Sequence, residues 1–167
     1  ATRTIARPSC KELSFAQIID PVTNRIFNGS FFEYAAWSGQ LVETRVNNAD
    51  LRWEKFFERG QMFSVSGFFK DFSNPIELVR IAEQQTSTEF QPRNVGRGTL
   101  LGAEIEWNAS FQGLSQKLEN LFFNGNITLI ESQITMSDVE FNSRKSYERV
   151  GETITNVRAM AGQSPYV

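Results

Sequence analysis

Two carboxylates, Glu104 and Glu106, stand two residues apart in the run Leu101-Gly102-Ala103-Glu104-Ile105-Glu106-Trp107-Asn108. Residues two apart on a strand share a face. Such a pair does acid and base work when its surroundings push the two pKa values apart. It equally suits a polar wall in contact with water. The chain has no His, which removes the commonest general base and a common metal ligand. Cys10 is the single cysteine, so neither an internal disulfide nor a cysteine-based zinc site can form. No nucleophile stands beside a base and an orienting partner. The expectation is therefore no enzyme, no catalytic residue, no metal site and no cofactor.

Aromatic residues are the other candidates. Phe31, Phe32, Tyr34 and Trp37 crowd one polar connection. They could contact a ligand, or they could pin their own loop as a local apolar cluster. Phe-Phe pairs recur at Phe31-Phe32, Phe56-Phe57, Phe68-Phe69 and Phe122-Phe123, among 15 Phe in all. In a strand each pair sends one ring to each face. Gly96-Arg97-Gly98 is too short for a phosphate loop. Asn108-Ala109-Ser110 and Asn126-Ile127-Thr128 have the form of glycosylation acceptors but fall inside expected strands.

The bulk numbers exclude more than they assign. Of 167 residues, 22% are charged and the net charge is −2, so no clustered basic surface marks a nucleic-acid binder. No run approaches the roughly 18 apolar residues of a membrane helix. Membrane strands need only about 9–11 residues of alternating character and stay open.

The elements that must position these residues have period two. Phe63, Val65 and Phe69 alternate with Ser64, Ser66 and Phe68. Leu101, Ala103, Ile105 and Trp107 alternate with Gly102, Glu104, Glu106 and Asn108. Leu121, Phe123, Ile127 and Leu129 alternate with Phe122, Asn124, Asn126 and Thr128. Six strands are expected at 2–7, 43–57, 61–81, 88–111, 118–135 and 147–162. Arg59-Gly60 reads as a tight turn. Longer polar connections are expected at 20–40 and 137–145. Arg52, Glu54, Lys55 and Glu58 read as solvated or lumenal charges. The fold class is all-β: an antiparallel meander of about six long strands. Alternation alone suits a membrane barrel or a soluble β-sandwich or β-barrel that binds carbohydrate or protein.

Several stretches resemble TonB-dependent outer-membrane receptors, especially those of Bacteroidetes-type bacteria. Thr2-Arg3-Thr4-Ile5-Ala6-Arg7-Pro8-Ser9 is similar to a strand-to-loop junction of that family. Asn48-Ala49-Asp50-Leu51-Arg52-Trp53-Glu54, with the segment from Phe63 to Glu77, is similar to the next hairpin. Gly102-Ala103-Glu104-Ile105-Glu106 matches a recurring Gly-x-Glu-x-Glu strand, and Arg158 to Val167 is similar to a late barrel segment. Their order covers nearly the whole chain. The resemblance implies an arc of a transmembrane barrel of about 22 strands in the bacterial outer membrane. It also implies energy-coupled uptake of a small nutrient. Cys10 departs from the family pattern, standing where an aromatic is expected.

The family's plug, TonB box and terminal aromatic strand have no counterpart here, so residues 1–167 are expected to be one partial barrel domain. TonB would then be engaged only through other parts of the parent protein. Lipid is expected to meet Phe63, Val65, Leu101, Ile105, Trp107, Phe123, Ile127 and Leu129. The lumen is expected to meet Ser64, Ser66, Glu104, Glu106, Asn124, Asn126 and Thr128. Ligand contact would fall to Phe31, Phe32, Tyr34 and Trp37, and open sheet edges would drive self-association. Light scattering of the purified chain tests the membrane expectation. The chain should need detergent to stay monodisperse, and a monodisperse chain in plain buffer would favour the soluble alternative.

Overall fold

A computed structural model describes residues 1–33, 39–83, 87–113, 116–118 and 120–163. The alternating runs form long strands: β4 (Thr44–Phe56), β5 (Met62–Ser73), β8 (Arg97–Ser110) and β9 (Phe122–Thr135). They have 13, 12, 14 and 14 residues, more than the roughly 9–11 that cross a bilayer. With β1 (Thr2–Ala6) and β10 (Val157–Arg158) they make one six-stranded sheet in the order β1-β4-β5-β8-β9-β10. The fold is all-β with mainly antiparallel pairing, and this sheet is not closed. A single 3-10 turn, Glu58–Gly60, joins β4 to β5 where Arg59-Gly60 predicted a tight turn.

The expected third and fourth strands are each two strands. The third stops where Asn74 takes a left-handed φ of 54° before Pro75 and resumes as β6 (Ile76–Glu83). A proline has no N–H to give a ladder and restricts the residue before it. The fourth is β7 (Thr88–Asn94) followed by β8. The two breaks are tied together, since Asn74 N donates to Gly96 O at 3.2 Å and Val95 N to Pro75 O at 2.9 Å. The expected sixth strand shrinks to Val157–Arg158, and the polar connection after β9 holds α1 (Asp138–Lys145). Ser137 caps that helix, with acids in its first turn and Arg144 and Lys145 in its last, as the helix dipole favours.

A hairpin, β2 (Gln17–Asp20) and β3 (Arg25–Asn28), occupies the other long connection. It joins a second sheet in the order β2-β3-β7-β6, antiparallel except for β3 against β7. Pro92 sits in β7 beyond Phe90, the last residue paired with β3, so its missing donor is tolerated.

The chain divides into two units. The first comprises Ala1–Thr2, Asn48–Lys70 and Leu100–Glu131, and the second the remaining segments. Among the described residues, every buried hydrophobic side chain lies in the second: Val46, Val79, Ile81, Val95, Ile134 and Met136. Val79, Ile81, Val95 and Ile134 form its core, with Met160 packed against them. The first unit leaves Leu51, Trp53, Leu101, Ile127 and Leu129 at least 56% exposed.

Close backbone approach anchors the hairpin. Gly29 N donates to Ala16 O at 2.8 Å, and Phe31 N to Ser14 O at 3.1 Å. A Cβ on Gly29 would collide with the Ser14 carbonyl. Gly29→Ala should therefore speed hydrogen exchange across 17–28 while β8 and β9 stay protected. Unchanged exchange across 17–28 would contradict this packing.

Candidate functional site

Glu104 and Glu106 sit in β8 within a network on one face of the first unit. Asn126 Nδ2 donates to Glu104 Oε1 at 2.8 Å, and Arg52 Nη2 to Glu106 Oε2 at 2.9 Å. Arg52 also pairs with Glu54. Arg52 is in β4 and Glu106 in β8, so the guanidinium reaches across β5, which carries Ser64 and Ser66 on this face. Ser64 is buried and Ser66 half-buried, while Asn124 and Thr128 of β9 are exposed. Phe68 lies over Gly102, where a Cβ would also meet Leu129 O at 3.0 Å. The pair is thus held by a guanidinium and an amide.

The alternate residues form the other face. Trp53 meets Phe63 edge-on at 6.3 Å between ring centroids, and Trp107 meets Phe123 at 5.3 Å. Val65, Leu101, Ile105, Ile127 and Leu129 are exposed, with Phe63 half-buried. This face has aromatic pairs beside short connections and aliphatic residues between them.

The second unit is built around buried charge. The Glu140 side chain is 1% exposed. Arg158 Nε donates to its Oε1 at 2.7 Å and Nη2 to its Oε2 at 3.0 Å. Arg144 adds a bond from Nε to Oε1 at 3.1 Å. Arg158 Nη1 also lies 2.7 Å from Glu77 Oε2, an ion pair off-line for a hydrogen bond. Glu77 Oε1 accepts from the Ala161 amide at 3.1 Å. One guanidinium thus ties β6, α1 and β10 together. Burial works against its charge, but pairing with Glu140 and Glu77 outweighs this and holds its pKa above the ordinary value.

A second buried group fixes the hairpin. Gln91 is fully buried in β7. Its Nε2 donates to Gly29 O at 3.0 Å and Phe32 O at 2.7 Å, and its Oε1 accepts from Arg93 Nε at 3.0 Å. The amide takes over where the β3 ladder ends, binding the carbonyls that follow Asn28. Sequence reasoning passed over all of these residues. Glu77, Glu140 and Arg158 are too far apart in the chain for spacing to show. One signal was present: Ser137-Asp138-Val139-Glu140 is a capping-box pattern that marks a helix start.

Of the loop aromatics, Phe31 stacks on Phe15 at 5.2 Å, and Phe32 gives its carbonyl to Gln91. Tyr34 and Trp37 lie outside the described residues. On the same unit a cavity of about 500 Å³ is lined by Lys11 and Glu12 together with Ile18, Phe27, Leu78 and Pro92. That volume falls in the range of small-molecule sites, roughly 300–1,000 Å³.

Long strands with one polar and one exposed apolar face, joined by short turns and longer connections, have the pattern of a β-barrel wall. No helix among the described residues is long and apolar enough to cross a membrane, which leaves strands unaffected. The family model described as TonB dependent receptor-like, beta-barrel matches residues 3–162, and the chain belongs to that family. It is a family of outer-membrane receptors and transporters, not of enzymes. No curated protein and no solved structure matches the chain.

The buried charge cluster makes a direct prediction. Removing one partner of a buried ion pair costs about 3–5 kcal/mol, because the other charge stays buried and unpaired. Arg158→Met should destabilise the second unit by about that much in denaturant titration followed by limited proteolysis. Adding Glu77→Gln and Glu140→Gln should restore part of the loss. An Arg158→Met chain as stable as the parent would remove the cluster from the account.

Proposed function

We propose that the chain is a section of the wall and outer loops of an outer-membrane receptor, of the kind found in Bacteroidetes. The receptor takes up a scarce small nutrient and is energised through TonB. One observation carries this reading: among the described residues the first unit has no buried hydrophobic side chain, yet its apolar residues line one face. Water does not tolerate so long an apolar face without a partner, and lipid does. Phe63, Val65, Leu101, Ile105, Trp107, Phe123, Ile127 and Leu129 then meet hydrocarbon or its interfaces. Ser64, Ser66, Glu104, Glu106, Asn124, Asn126 and Thr128 meet the aqueous lumen. The two edge-on aromatic pairs flank the short connections at 57–61 and 111–121, which suits the aromatic girdle at the periplasmic interface.

Residues 1–167 contribute one partial barrel domain. The open sheet needs partners for its edges β1 and β10, and further barrel strands or a second copy of this sheet supply them. TonB is engaged by other parts of the receptor. Nutrient contact falls to the aromatic connection that the sequence marks with Phe31, Phe32, Tyr34 and Trp37.

The exposure of Ile127 makes a simple substitution decisive. At 62% exposure, Ile127→Arg costs almost nothing if that surface faces water. Facing mid-bilayer lipid, it costs about 2–4 kcal/mol. In the intact receptor, Ile127→Arg should sharply lower the heat-modifiable barrel fraction in outer membranes, and Asn126→Arg should not. Equal assembly of both variants would sink the reading.

A further inference from the structure

We propose that the cavity of about 500 Å³ beside β2 and β3 binds a small zwitterion with an apolar side chain, the simplest being an apolar α-amino acid. Its floor is one face of the β2-β3-β7-β6 sheet. Ile18 pairs with Phe27 across β2 and β3, and Leu78 with Pro92 across β6 and β7. Partners directly opposite across two strands share a face. Phe90 joins the two pairs. It is opposite Phe27 in the register, stacks on it with centroids 5.6 Å apart, and lies two residues before Pro92. Ile18 and Leu78 stay 49% and 46% exposed, so the described residues leave much of this floor open.

The wall is the segment before β2. Lys11 and Glu12 line the cavity from it, and they are the two charged residues of the lining, one of each sign. Glu12 Oε2 accepts from Ser9 N at 2.6 Å and from Ser9 Oγ at 2.8 Å. These bonds fix the carboxylate and leave Oε1 without a partner among the described residues. Lys11 pairs neither with Glu12 nor with any other described residue. Ser30 N donates to Glu12 O at 2.8 Å and Phe31 N to Ser14 O at 3.1 Å, which ties the wall to the chain leaving β3. The Asn28 amide at the cavity is already engaged. It accepts from Gln17 Nε2 at 2.8 Å and donates to Glu89 Oε2 at 3.2 Å.

A lining with one charge of each sign discriminates against simple ions. A lone anion meets Lys11 but also Glu12, and a lone cation the reverse. A zwitterion gives its carboxylate to Lys11 and its ammonium to Glu12, forming charge-assisted hydrogen bonds at both ends. Its apolar side chain then covers the exposed floor, and burial of both apolar surfaces favours binding. The volume suits a small molecule. The inference rests on the receptor reading for its physiological sense: this zwitterion would be the nutrient.

The test is calorimetric titration of the intact receptor in neutral detergent with L-phenylalanine and three relatives. Hydrocinnamate lacks the ammonium, phenethylamine lacks the carboxylate, and glycine lacks the side chain. Phenylalanine should bind saturably, and each relative should bind about tenfold more weakly or worse, a difference of about 1.4 kcal/mol. Glu12→Gln keeps an oxygen that accepts from Ser9, as Gln does in a capping box. It should lower phenylalanine affinity about tenfold without weakening hydrocinnamate. Lys11→Gln should lower phenylalanine affinity about as much without weakening phenethylamine. Both variants should keep the parent's circular dichroism spectrum, and Arg45→Gln, in a surface pair with Glu43, should bind like the parent. No saturable binding of phenylalanine would overturn the proposal, as would equal binding of all four probes. So would tighter binding of hydrocinnamate or phenethylamine, or a Lys11 or Glu12 variant that binds phenylalanine like the parent. None of these outcomes bears on whether Ile127→Arg blocks assembly, so the receptor reading stands or falls separately.

Discussion

A strand inside a bilayer must satisfy its backbone in a ladder, because hydrocarbon offers no hydrogen bonds. The long strands of the first unit meet that constraint in a sheet, and their side chains alternate between an apolar and a polar face. Its strands carry apolar side chains outward on one face and polar ones on the other, and no described hydrophobic residue is buried there. The polar face has its own coherence. Arg52 bridges Glu54 and Glu106, Asn126 meets Glu104, and Phe68 covers Gly102. These contacts link side chains across β4, β5, β8 and β9 on one face.

The second unit obeys ordinary globular rules. It has an apolar core, a helix and a small mixed sheet, and its buried charges are paired. Arg158, Glu77 and Glu140 join three of its segments at one point, and Gln91 ties the hairpin to β7. Replacing such a cluster by apolar residues is often neutral or stabilising elsewhere. Here its value is geometric: it joins β6, α1 and β10.

Period-two alternation made the long strands legible, and Arg59-Gly60 marked the turn at Glu58–Gly60. The open meander order β1-β4-β5-β8-β9-β10 agrees with the expected all-β meander. The internal structure of the connections was not legible. Strand pairing between β3 and β7 joins residues some sixty positions apart, as in the Asn28–Glu89 hydrogen bond, and no local pattern encodes it. Asn74-Pro75 was a visible breaker that the surrounding apolar run concealed. The pattern from Ser137 to Glu140 announced a helix inside a segment read as polar loop. Arg158 lay within a stretch that carried the family resemblance, yet its role depends on partners that only folding brings close.

The most direct test of the account is a photo-crosslinking side chain placed at position 127 and, separately, at 126 in the intact receptor in its native membrane. The account predicts lipid adducts from 127 and none from 126. An absence of lipid adducts at both positions, in a receptor shown to be folded, would contradict it.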